Sequence, residues 1–159
     1  MTQLNDNWRA LSIQQPWVDL ILTGRKTIEV RNWRNVSQRG NILLHSSSKI
    51  DWKTAALLGY ENLFGLPLKK IVGVAEVVDV VKLQDETRLS RLTEHWVLHP
   101  FYNEPLGLVL KNPTRFSRPI PCNGRLLLFE LPEEVKERVS EQLQACGLDP
   151  SQDPRKQQR

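Results

Sequence analysis

The segment IVGVAEVVDVV, residues 71–81, constrains the fold more than any other stretch of the chain. Seven of its eleven residues are Ile or Val, side chains that crowd a helix and pack well on a pleated strand. It is too short to cross a membrane as a helix, which takes ~20 apolar residues, and no other apolar run approaches that length. Four further short runs read as strands: Ala10–Ile13, the NILLH run Asn41–His45, Leu106–Leu110 and Gly124–Leu131. The last two are separated by a proline-rich connection. Within the long strand, Glu76 and Asp79 are the discordant residues.

Helical signals fall between the strands. Pro16 suits a first helical position, where its missing N–H costs nothing. Trp17, Leu20, Ile21 and Gly24 follow at helical spacing, with Asp19 outward and Gly24 placed to end the helix in a left-handed conformation. Asp51 reads as the cap of a second helix to Gly59, with Trp52, Ala55 and Ala56 inward. Leu89, Leu92 and Trp96 mark a third. Pro132–Gly147 reads as an amphipathic helix with Glu133 and Glu134 in its first turn and Val135, Val139 and Leu143 on one stripe.

The expected organisation is a polar leader over residues 1–9, one domain over 10–148 and a disordered, proline-bearing tail over 149–159. Five or six short strands with a few helices define an α+β fold on a small, closed or nearly closed β-barrel.

The octapeptide GRKTIEVR, residues 24–31, raises the functional question. With period two, Ile28 and Val30 share one face, while Thr27, Glu29, Arg31 and, further on, Trp33 share the other. The apolar face belongs to the core, so the charged face lines a surface that could be a cleft. Between Arg25 and Arg39 five basic residues stand against one acid, Glu29. The net charge of the chain is +4. A local excess of that kind favours polyanions such as nucleic acid, although a solvated basic face would carry the same composition.

The 159 residues can bury a core without staples. Cys122 and Cys146 form no CxxC and are expected to be free thiols. The opening MTQLNDNWRA lacks a secretion-signal pattern, so the expected location is cytoplasmic. No phosphate-binding loop, dinucleotide fingerprint or nucleophile elbow occurs. His95 and His99 have i,i+4 spacing, but no third ligand accompanies them and Pro100 follows. No metal or cofactor is therefore expected.

The segments LSIQQPW (11–17), GRKTIEVRNW (24–33), NILLHSS (41–47), VGVAEVVDV (72–80) and LGLVLKNP with the following PIPCNGRLLLFELP resemble the ASCH domain family of the PUA-like superfamily. The family signature G-x-K-x-x-E-x-R is met by Gly24, Lys26, Glu29 and Arg31, and the five segments cover roughly Leu11 to Leu131. The resemblance implies a barrel whose cleft receives the charged residues of the motif. It also implies a ligand such as RNA, a nucleotide or a modified nucleoside. Some members are hydrolases, either deacetylating N4-acetylcytidine or cleaving RNA.

On that reading Lys26 and Arg31 engage phosphate oxygens or base edges. Glu29 orients them, and Trp33 stacks on a base. Trp17 either stacks as well or packs in the core. His45, followed by the Ser46–Ser48 hydroxyls, could bind phosphate or act as acid or base. The alternative for the charged trio is a structural ion cluster. The deacetylating branch would use Lys26 and Glu76 as catalytic residues. Its threonine, however, corresponds here to Glu29, which would pair with Lys26 rather than attack.

Overall fold

The computed structural model describes residues 3–33, 36–61, 63–82 and 106–156. The expected helix around Leu89–Trp96 and the His95/His99 pair lie outside the described residues. Among the described residues six strands follow in chain order: β1 Arg9–Gln15, β2 Ile28–Arg31, β3 Gly40–Ile50, β4 Lys70–Lys82, β5 Leu106–Pro121 and β6 Leu128–Glu130. They form one mixed sheet in the order β2-β5-β4-β3-β1-β6. Only β1 and β3 run parallel, and the other neighbours are antiparallel.

The apolar run at 71–81 is the middle of β4, paired on both sides. Alternation divides its side chains between two cores. Ile71 and Val74 join Trp8, Leu43, Phe116 and Val139 on one face. Val72, Ala75 and Val77 join Leu11, Ile42, Leu44 and Ile21 on the other. Burial on both faces is what removes polar residues from the first half of the strand. Beyond Val77 the strand emerges, and Val78 and Asp79 are exposed.

Helix α1, Trp17–Leu22, covers one face of the sheet. Pro16 caps this helix rather than entering it, since its carbonyl accepts from the Leu20 N–H at 3.0 Å. Gly24 ends the turn as expected, with φ +82°. Helix α2, Trp52–Leu57, is capped by Asp51, whose Oδ1 accepts from the Thr54 N–H. Of the three residues expected inward, only Ala55 is buried. Ala56 is exposed, and so is Trp52, which packs on Phe64 instead because α2 faces solvent.

Helix α3, Glu133–Ala145, lays Val135, Val139 and Leu143 on the opposite face of the sheet. Leu4 and Trp8 of the leader share that core. Pro150 of the expected tail accepts from the Trp8 indole N–H at 3.1 Å, and Pro154 accepts from the Asn41 N–H at 2.9 Å. Residues 149–156 thus carry ordered contacts where disorder was expected, since their carbonyls complete otherwise unpaired donors.

The proline-rich connection is strand: β5 continues to Pro121, with Pro113 and Pro119 falling at register shifts where no ladder N–H is needed. Only Leu128–Glu130 of the expected last strand pairs as β6. The backbone ladder does not close into a barrel, yet the sheet is strongly curved. Arg31 on β2 donates from Nη2 to the Ser12 carbonyl on β1 at 2.8 Å, although β5, β4 and β3 separate those strands in the order.

Candidate ligand site

The turn at Gly24 and the Lys26 N–H bond to the Leu20 carbonyl (3.0 Å) feed the chain straight from α1 into β2. Because the sheet curls, both faces of this short strand are covered: Ile28, Val30 and Glu29 are all buried. Lys26 is only 2% exposed. Its Nζ sits 4.9 Å from the Trp17 ring centroid and 3.7 Å from Glu29 Oε1. Burial lowers its pKa, and the Glu29 carboxylate opposes that shift. The other carboxylate oxygen of Glu29 accepts from Arg31 Nη2 at 3.1 Å. The Arg31 guanidinium carbon lies 5.7 Å from the Trp33 ring centroid. The motif therefore forms a chain of aromatic, cation, carboxylate, cation and aromatic groups.

A hollow of about 690 Å³ opens beside one end of that chain. Ser12, Glu29, Arg31 and His45 line it, together with Lys49, Lys69 and Arg125 at exposed positions. Four basic side chains thus face one carboxylate. The volume is of the size that holds small organic ligands. Exposed Leu126 and Leu127 form an apolar lip. Arg31 also carries a buried Nε donor with no hydrogen-bond partner among the described residues.

His45 is buried on β3. Its Nε2 lies 2.6 Å from the Cys122 carbonyl and its Nδ1 lies 2.9 Å from Ser12 Oγ. A carbonyl can only accept, so Nε2 carries the proton and Nδ1 of the neutral ring accepts from the serine hydroxyl. Burial lowers the pKa of the ring, and the bond to the Cys122 carbonyl works against that shift. Gly124 presses on the pair: a Cβ there would come within 2.8 Å of His45 Cε1 and 2.9 Å of Ser12 Oγ.

The residues singled out in the sequence are therefore distributed unequally. Glu29, Arg31 and His45 share the hollow. Lys26 and Trp17 stand behind Glu29, and neither lines it. The Trp17 indole N–H is bonded to Asp51 Oδ2 at 3.2 Å. Trp33 lines an adjoining hollow with Val36, Leu127 and Leu128. Glu76, partly buried on β4, accepts from the Asn112 side-chain amide at 3.0 Å and lines neither hollow. Ser12, Lys49, Lys69, Gly124 and Arg125 were not singled out. They come from separate stretches of the chain, and only the curvature of the sheet assembles them.

Such a curved α+β sheet with a lined hollow is the architecture of PUA-like domains. The family model described as ASCH domain matches residues 11–120, and the chain belongs to that family. A search of curated proteins gives no match. Among solved structures the chain is similar to the ASCH protein of Zymomonas mobilis, with a TM-score of 0.61 at 15% identity, covering 86% of this chain and 96% of that one. Two single-substitution mutants of that protein give TM-scores of 0.60 at 16% identity, covering 87% and 85% of this chain and 97% of each of theirs. At this identity the likeness concerns the fold. Membership of the family supports RNA binding or a related hydrolase activity in general terms. No helix among the described residues is long and apolar enough to cross a membrane.

Proposed function

We propose that the chain binds a nucleotide, free or within single-stranded RNA, in the hollow between β1, β2, β3 and the connection before β6. The observation that carries this reading is the placement of Arg31, Lys49, Lys69 and Arg125 around a space of about 690 Å³ that holds one carboxylate. A partly enclosed concentration of positive charge attracts phosphate, and guanidinium forks give it direction.

Arg31 is the organising group. Glu29 and the Ser12 carbonyl fix its Nη2, which leaves the rest of the fork for a ligand. Lys26 acts from behind by holding Glu29 in place. Trp33 and the leucine lip offer apolar surface to a base. The test is calorimetric titration of the protein with AMP and with a short single-stranded RNA at several salt concentrations. Salt-sensitive binding that Arg31→Ala abolishes is expected. Salt-independent binding, or unchanged affinity in that variant, would remove the reading.

A further inference from the structure

The Ser12–His45 contact has a chemical meaning that phosphate binding does not require. A hydroxyl whose proton already points at an imidazole lone pair is the resting arrangement of an activated nucleophile. Three observations converge here. Ser12 is partly exposed and lines the hollow, whereas His45 is buried behind it. The 2.6 Å bond from His45 Nε2–H to the Cys122 carbonyl holds the ring in the tautomer that leaves Nδ1 free to take the serine proton. The space of Gly124 is filled by these two side chains, so the connection before β6 clamps them together.

We propose that Ser12 and His45, oriented by the Cys122 carbonyl, form a nucleophile and general base that transfer an acyl group from an anionic ester or amide to water. The hollow's basic rim selects the anionic substrate, and an acylated nucleotide fits it. That choice of substrate rests on the nucleotide reading, but the chemistry of the pair does not. As Ser12 Oγ adds to the acyl carbon, its proton passes to His45 Nδ1 and the carbonyl electron pair moves onto oxygen. The pair returns as the bond to the leaving group breaks, and the leaving group takes the proton from Nδ1. Water then gives a proton to Nδ1 and adds to the acyl-serine. Ser12 Oγ departs with that proton, leaving a carboxylic acid. One water is consumed and nothing is oxidised. Arg31, tied to the Ser12 backbone, supplies positive charge beside the oxygen that carries the transient negative charge.

The test uses the full chain, a fluorophosphonate probe and peptide mass mapping, with AMP binding followed in parallel. A single adduct on Ser12 is expected. Its formation should slow by ~10²-fold or more in His45→Gln, in line with the loss of a general base, and AMP should protect against it. The wild-type rate should fall on acidification below the ordinary histidine range, as the ring takes up a proton. The protein should also release acetate from 3′-O-acetyl-AMP, and Ser12→Ala should not. A wild-type protein that gains no Ser12 adduct overturns the relay without needing any variant, and so does an equal rate in a folded His45→Gln. AMP binding without an adduct overturns the relay alone. An adduct on a protein that does not bind AMP supports the relay and removes the nucleotide reading.

Discussion

Lys26 Nζ and Glu29 Oε1 stand 3.7 Å apart with both side chains almost wholly buried. An ion pair in such a place contributes little as a pair, but leaving one member alone is costly. Glu29→Gln is expected to destabilise the protein by about 3–5 kcal/mol, because the buried Lys26 charge then loses the carboxylate that opposes its desolvation while the like charge of Arg31 stays nearby. The double variant Lys26→Met/Glu29→Gln should lose much less than the sum of the single changes. Urea unfolding of wild type, the two single variants and the double variant measures both quantities.

His45 ties stability to acidity. Its folded-state pKa lies below the ordinary 6.5, so between those values the unfolded chain binds more protons than the folded one. Its contribution is complete above pH 6.5 and is lost as the pH falls through the folded value. The ring faces Ser12 from β1, Cys122 and Gly124 from the connection, and Phe129 from β6. Arg31, Lys49, Lys69 and Arg125 share its hollow and oppose a further positive charge, whereas Glu29 favours one. The urea midpoint of wild type should therefore drop between pH 7.5 and 5, and that of His45→Gln should change less.

The basic rim predicts a particular dependence on salt. Each phosphate contact on a single strand contributes about 0.7 to the slope of log affinity against log salt. Removing Lys49, Lys69 and Arg125 together as alanines should reduce that slope by about 2 if each meets a phosphate. Fluorescence anisotropy with a labelled oligoribonucleotide reads it directly. The three side chains lie at exposed positions, so the thermal midpoint should remain close to that of wild type.

Trp8 tests the packing of the chain ends. Its indole N–H meets the Pro150 carbonyl in a buried site. Trp8→Phe keeps most of the ring volume but leaves that carbonyl with the Asn5 N–H as its remaining donor, so the loss is that of one hydrogen bond, about 0.5–1.5 kcal/mol. Limited proteolysis should then cut within residues 149–156 faster than in wild type.

The strands were legible where burial alone writes the pattern. β4 announces itself because both of its faces are covered, and α3 because a single stripe of it is. Harder to read was any feature that depends on the sheet curling. Period-two alternation separates Ile28 and Val30 from Glu29 and Arg31 correctly, but it cannot say that the second face is also covered. Lys26 thus became a buried post where an open contact was expected. Trp52 misled for the opposite reason: helical spacing implied an inward face of three residues, and α2 turns only Ala55 inward while Trp52 stays exposed against Phe64. Lys49, Lys69 and Arg125 look like ordinary surface charges in the sequence. Their meaning arises from the wrapping that also lets Arg31 reach β1.

The Asn5 backbone N–H and the Trp8 indole both converge on the Pro150 carbonyl, 145 and 142 residues along the chain from them. A short bridging peptide could therefore join these neighbouring positions into a ring, to be reopened at an exposed turn such as Gly59. For the same reason this fold could be spliced into a surface loop of a host protein with little distortion of either partner.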